Sequence, residues 1–592
     1  ETGKVLFKNN LIAHDSNYTY RVYANQDGYP MEGPHGDVLP KIGTGPDKTE
    51  IEVAPLVTLS HYSKISTADV WLAEDANITS GNNVFAYADV VAPDGFTEGD
   101  FSAELTSAKT FDYPYEPSQS PTSLNNRKAA IVNLFYMNNF LHDFFYDYGF
   151  DEASGNAQQT NYGRGGEEND PLHVQAQDYS GLNNANMATP ADGRSPRMQQ
   201  YLWNSKDAVV GTDFGVTVTS HDQVGLLASS RVASFGPVQY DMSGTTARLN
   251  DGTDTETDGC EAATNTDELA GKIALIDRGG CAFTAKAKNA QEGGAIGVII
   301  VNNVDDGTPA PMGGTDDTIS VPSMGLSFQD GKAIYDLMAN GDMVTVNLMS
   351  TFPLKDSTFD NGIVAHEWGH YISNRLIGNS SGLNNFQGRA MGEGWGDFHS
   401  LMFIALESDL AIAGNDQFQL SYATGTFVEN FTTGIRRAPY STDMSVNPLT
   451  FKHITSGAEV DGLPPTNGGS PHAAGEVWAN MLWNIYVGLI NKHGFQEAQD
   501  RMATYLISGY KATPISPTYV EARDAILASM YATDMADFTL ALKAFADRGL
   551  GLGAIAPPRD STDNSGVVES NKTSLSAFQA QKVTLNTNYN GA

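Results

Sequence analysis

The chain has 592 residues, enough for about four domains at roughly 150 residues each. Its 40% hydrophobic and 18% charged content excludes a disordered chain or a coiled coil. Thirty-five Lys+Arg against 70 Asp+Glu leave a net charge of −35, a field that repels phosphate backbones and anionic lipid and so excludes nucleic acid and membrane surfaces as partners.

In chain order, residues 1–122 hold short alternating runs between Gly, Pro and Asp turns, among them VLFKNNLIAH, TEIEVAPLVTL and NVFAYADVV, which predict a β-rich N-terminal region. The opening Glu1-Thr2-Gly3 fits either a processed end, which would imply export, or a vector scar, and no apolar run is long enough to span a membrane. After the Pro/Ser stretch YPYEPSQSPTS, apolar Ile131, Leu134, Phe135, Leu141 and Phe145 recur at helical spacing, predicting a long, mostly buried helix. From 207 to 351 the texture shifts to Gly, small residues and β-branched runs, and GKIALIDRGGCAFTAKAKNAQEGGAIGVIIVNN followed by SVPSMGLSFQDGKAIYDLM parses as strand, helix, strand, turn, helix. Beyond it, TFDNGIVAHEWGHYISNRL, GRAMGEGWGDFHSLMFIALE, PHAAGEVWANMLWNIYVGLI and residues 518–545 read as helices, and residues 556–592 as a polar strand or tail.

The chemistry concentrates in His366-Glu367-Trp368-Gly369-His370, an HExxH motif. On a helix, residues four apart share a face, so the two imidazoles converge on one ion while Glu367 stands beside the open coordination position. Val364, Trp368, Tyr371 and Ile372 form the apolar stripe that buries the opposite face. Ser373 and Leu376 replace the Gly and His of the HExxHxxGxxH pattern, so the third ligand lies elsewhere. GRAMGEGWGDF supplies Glu393, with Asp397 one turn further on the same face, placed to accept the outer N–H of a ligand histidine. Two cysteines, Cys260 and Cys281, exclude both a disulfide framework and a thiolate-ligated zinc.

HEWGHYISNRL, GEGWGDF, GIRRAPYSTDMSVNPLTF and NLFYMNNFLHDFFYDYGF together resemble the fungalysin-type secreted zinc metalloendopeptidases, relatives of thermolysin. The resemblance implies an α+β, two-lobed zincin catalytic domain in two segments, 123–206 and 352–555, with an active-site cleft between the lobes and protein or peptide substrates. It further implies His472 of TNGGSPHAAGEVW as a donor to the oxyanion, Asn184 and Ala185 of NNANMATP as an edge that aligns an extended substrate, and Arg436 and Tyr440 of GIRRAPYST as cleft donors. The intervening 207–351 resembles an α/β protease-associated domain, which implies an accessory module without catalytic residues; both cysteines fall in it, and a bridge between them would stabilise by roughly 3 kcal/mol.

The reading is therefore a secreted, extracellular, monomeric Zn2+ endopeptidase with Glu367 as general base. The alternatives are a zinc aminopeptidase, which would need an acidic clamp for the free amine, and a non-catalytic binding protein using the inserted domain. Asp-rich turns DDGTPAPMGGTDD and NDGTDTETDG add structural Ca2+ as a further expectation. His142 and His399 read as packed histidines, Trp395 and Trp478 as core, and Asn17, Asn77, Asn379, Asn430 and Asn571 head glycosylation sequons.

Overall fold

The computed structural model describes residues 17–40, 50–204, 209–351 except 223, 234, 306, 311, 315 and 317, then 354–466 and 470–574. The expected strand VLFKNNLIAH and the glycines of TNGGSPH lie outside these residues.

The N-terminal region contributes strands β1 (Tyr18–Arg21), β2 (Leu56–Leu59), β3 (Val84–Ala88) and β4 (Thr110–Phe111). Helix α1 (Leu124–Tyr146) follows, capped by the Ser123 hydroxyl on the amide of Asn126. Strands β5 (Leu172–Ala176), β6 (Ala185–Ala188) and β7 (Arg197–Gln200) come next, and a four-stranded sheet runs in the order β3-β5-β7-β6, parallel except for β6 at its edge. The boundary expected at residue 122 does not separate two cores. Strand β3 is hydrogen-bonded into the sheet that flanks the metal-motif helix, and one continuous apolar core runs from Tyr18 through α1 to Leu550. Among the described residues of the N-terminal region, turns and bends separate the short strands. Helix α1 is buried on almost every face; Asn133 Nδ2 reaches the Thr358 carbonyl and Asn361 Oδ1, both at 3.0 Å.

Strand β8 (Leu202–Asn204) leads into residues 209–351, which form β9 (Phe214–Val218), β10 (Gly225–Leu227), β11 (Arg231–Val232), β12 (Tyr240–Arg248), α2 (Thr266–Leu269), β13 (Ile273–Asp277), α3 (Phe283–Glu292), β14 (Gly297–Val301), β15 (Ser323–Leu326), α4 (Phe328–Ala339) and β16 (Thr345–Ser350). Their eight-stranded sheet runs β10-β9-β16-β12-β13-β14-β15-β11. Alternation along β13 and β14 sends Ala274, Ile276, Val298 and Ile300 to one core and Ile273, Leu275, Ile299 and Val301 to another, so both faces are buried as parallel strands require. The chain leaves through β17 (Leu354–Asp356), which pairs antiparallel with β8, so entry and exit of the insert lie side by side. Cys260 and Cys281 are disulfide-bonded, with Cα atoms 5.6 Å apart.

Helices α5 (Asn361–Leu376), α6 (Phe386–Ile404), α7 (Pro471–His493), α8 (Phe495–Ala512), α9 (Tyr519–Thr533) and α10 (Met535–Asp547) complete the fold, which among the described residues is mixed α+β. The tail returns as isolated bridges, Val568 on Ile555 and Ser570 on Leu550.

Candidate metal centre and cleft

Three helices meet at the motif because glycines remove the side chains that would hold them apart. A Cβ on Gly369 of α5 would stand 2.7 Å from the Cα of Gly396 on α6, and one on Gly394 would stand 2.5 Å from the Gly475 carbonyl of α7. The N-terminus of α5 is fixed by Asp360, whose Oδ1 accepts from the Ile363 amide (3.1 Å) and whose Oδ2 accepts from Phe427 (2.9 Å).

His366 and His370 present their Nε2 atoms 3.1 Å apart. Glu393 Oε2 lies 3.6 Å from His366 Nε2 and 3.8 Å from His370 Nε2. These three side chains hold their ligand atoms within 4.8 Å of one another, and Glu393 Oε2 is buried without a hydrogen-bond partner. Two imidazole nitrogens and a carboxylate oxygen facing one another are the donor set that zinc takes, so the residues present fit the ion.

Behind the ligands, Asp397 is fully buried. Its Oδ1 accepts from His366 Nδ1 (2.9 Å) and Arg436 Nη2 (2.7 Å); its Oδ2 accepts from Arg436 Nε (2.7 Å) and from the Tyr440 hydroxyl. Burial opposes ionisation, but the Arg436 guanidinium and His366 hold this carboxyl well below the usual carboxylate range. Burial pushes Glu367 the other way, up to about 7, and leaves its Oε2 without a hydrogen-bond partner.

A cleft of about 620 Å³ opens over these groups. It brings together His366, Glu367, His370, Glu393, Asn184, Ala185, Arg436 and His472. His472, at the first turn of α7, is half-exposed and points Nε2 at Glu393 Oε2, 3.3 Å away. Tyr440 is not in the cleft: it is buried behind Asp397, whose second oxygen captures its hydroxyl. Arg436 touches the cleft, and its guanidinium makes a two-bond fork to Asp397 while Nη2 also lies 3.7 Å from Glu393 Oε2.

The cleft also takes in Ile363 and Asn374, which extend the His366/His370 face by a turn in each direction and were legible from helical periodicity. Trp203, Glu429 and Ile435 line it too and carry no local signal, since they arrive from separate segments. Of the two Asp-rich turns, 306, 311, 315 and 317 of the first lie outside the described residues. In the second, Asp251, Asp258 and Glu261 bring carboxylate oxygens within 4.8 Å, beside the Lys286 ammonium bonded to the Gly279 carbonyl (2.5 Å). His142 is packed against Gln158 Oε1 (2.8 Å) and His399 against the Tyr510 hydroxyl (3.0 Å).

Two histidines and a carboxylate grouped on crossing helices, with a second buried carboxylate beside them, form a group that could hold a metal ion. The chain belongs to the fungalysin metallopeptidase family, whose profile matches residues 46–554. It is 26% identical over 585 residues to extracellular metalloproteinase 5 of Arthroderma benhamiae, and 27% identical over 586 residues to extracellular metalloproteinase 1 of Trichophyton rubrum. Each match covers 96% of this chain and 63% of the relative, so the chain spans less than two thirds of these curated relatives. Among solved structures, a zinc aminopeptidase from Bacillus subtilis overlaps 29% of this chain and 35% of its own at 19% identity and a TM-score of 0.19, too little to bear on the fold. Among the described residues, no helix is long and apolar enough to cross a membrane.

Proposed function

We propose that the chain is a zinc-dependent endopeptidase that acts outside the cell on proteins and larger peptides. The observation that carries this reading is the grouping of His366, His370 and Glu393 beside a buried, unbonded Glu367 oxygen on the wall of one cleft. Zinc, when held by His366 Nε2, His370 Nε2 and the Glu393 carboxylate, supplies a Lewis acid and a water of lowered pKa. Glu367 accepts a proton from the attacking water and returns it to the leaving amine. His472 Nε2 donates to the oxygen that gains charge on the scissile carbonyl. Asp397 accepts the Nδ1 proton of His366 and so keeps Nε2 available as a ligand, while Arg436 and Tyr440 hold Asp397 in place. Among the described residues strand β6 is paired with β7 on one side only, and its residues Ala185 to Met187 line the cleft, so an extended peptide can add to its other edge next to Asn184.

Residues 207–351, with their own sheet, cores and paired neck, are read as the protease-associated module, an accessory to substrate access without catalytic groups. The extracellular names of the relatives and the Cys260–Cys281 bridge support an oxidising compartment. An aminopeptidase is the second reading, favoured by Glu429, an acidic residue on the cleft wall outside the metal set. Cleavage-site profiling on a peptide library containing N-acetylated members, with and without a zinc chelator, decides between them. Internal cuts in blocked peptides that stop on chelation are expected. Cuts confined to free N-termini would replace the reading with the aminopeptidase, and chelator-insensitive cleavage would overturn both.

A further inference from the structure

The sheet that borders the cleft carries a second group of carboxylates. Asp89 directly follows β3, Asp178 follows the neighbouring parallel strand β5, and Asp94 folds back from the loop after β3. One oxygen from each lies within 4.8 Å of the others. Asp89 and Asp178 are buried, with 0% and 3% of their surface exposed. Arg197 pairs with Asp94, which leaves two negative charges in the group uncompensated.

The hydrogen bonds within the group are unevenly shared. Asp178 is satisfied, by the Ser180 amide (2.7 Å) and hydroxyl (2.5 Å) on Oδ1 and by Gln199 Nε2 (2.6 Å) on Oδ2. Asp89 Oδ2 accepts from the Gly95 amide (2.8 Å) and Gln175 Nε2 (2.6 Å), but Asp89 Oδ1 is buried with no hydrogen-bond partner among the described residues. Gln175 is itself fully buried, and its Nε2 also faces Asp94 Oδ1 (3.1 Å) and the Tyr87 hydroxyl (3.0 Å), while its Oε1 has no hydrogen-bond partner. A half-turn of that amide presents Oε1 to the carboxylates. Burial, and then the charges of Asp178, Asp100 and Asp94, push Asp89 up to about 7.

We propose that Asp89, Asp94 and Asp178, with the side-chain amide of Gln175, bind a calcium ion. The donors are all oxygen, unequal in kind and without imidazole or thiolate, which suits a hard cation of flexible coordination over zinc. The ion ties the loop after β3 to the end of β5. It also reaches the cleft: Gln199 donates to Asp178 Oδ2 and accepts from Asn186 Nδ2 (3.2 Å) on edge strand β6. Calcium therefore orders the strand that receives the substrate. This last link rests on the peptidase reading; the binding does not.

The test uses the full chain, stripped of metal, reloaded with one equivalent of zinc and titrated calorimetrically with Ca2+. Wild type is expected to bind calcium, and Asp89→Asn and Asp178→Asn each to weaken that binding at least 10-fold with zinc content unchanged. Asp251→Asn, in the acidic turn of the insert, is expected to leave this site intact. Calcium binding that is equal in wild type and both variants, or that only Asp251→Asn abolishes, overturns the proposal. If neither variant folds, Tb3+ replaces Ca2+ as probe: Tyr87→Phe must dim the tyrosine-sensitised emission that calcium competes away, and undiminished emission overturns the assignment. A raised KM with kcat retained in Asp89→Asn tests the link to the cleft separately, so failure there leaves the ion site standing.

Discussion

Replacing Asp397 by Asn tests whether the group behind the ligands organises the centre. Asn keeps the shape but turns one carboxylate oxygen into an NH2 donor. Each oxygen now receives two donors, Oδ1 from His366 and Arg436 Nη2, Oδ2 from Arg436 Nε and Tyr440. Whichever way the amide sits, one guanidinium N–H loses its acceptor, and the Arg436 charge, 6% exposed, loses its counter-ion. Each unsatisfied buried donor costs about 1–3 kcal/mol, and breaking a buried pair costs about 3–5 kcal/mol. The metal-free variant should therefore lose about 3–5 kcal/mol, and its zinc affinity should fall about 10–100-fold in a chelator competition. Tryptophan fluorescence in urea isolates the relevant transition, because none of the six tryptophans lies within 207–351. The loss should be largest at about pH 5 to 6 and shrink as pH rises above about 6.5: the depressed Asp397 carboxylate contributes fully above its unfolded pKa near 3.9, but against burial the same carboxylate also holds the metal-free His366 imidazolium up to about 10, a contribution complete below the unfolded histidine value and lost as pH rises. Stability within about 1 kcal/mol of wild type together with unchanged zinc affinity would refute the reasoning.

Glu367→Gln should keep zinc, measured by metal analysis, yet lose at least about 100-fold in kcat, because the amide cannot carry the proton. Peptidase kcat/KM should fall as pH drops below about 7, since the working form of Glu367 is the ionised one and burial holds its carboxyl up to about 7; an adjacent cation moves the limb lower, and a profile flat to pH 4 counts against the assignment. Gly396→Ala would put a Cβ 2.8 Å from the His366 ring, so it should destabilise by about 1–3 kcal/mol and shed zinc, both read in one titration. The double change Cys260→Ser and Cys281→Ser should weaken the insert by about 3 kcal/mol, seen as a new early step in calorimetry, with zinc content unchanged.

Local periodicity was enough to place the metal chemistry. HExxH on an amphipathic helix, and Glu393 with Asp397 one turn apart on the next, put four of the central groups on predictable faces, because a helix fixes side-chain direction from spacing alone. The change of texture at 207–351 likewise marked a segment whose two-faced strands build cores of their own. Long-range partners were not legible in the same way. Strand β3 looked like part of a separate N-terminal region, but its place beside β5 depends on backbone pairing that no local pattern encodes. Tyr440 matched a motif as a cleft donor, but Asp397 lies on its path and takes its hydroxyl. Asp89, Asp94, Gln175 and Asp178 form no sequence motif, since the group exists only where two parallel strands end side by side. Sequence by itself determined which residues carry imidazole and carboxylate donors at the spacing of the proposed metal site and on which helical faces they sit. Only the tertiary structure decided which buried charges meet, because burial and pairing are set by contacts between segments far apart in the chain.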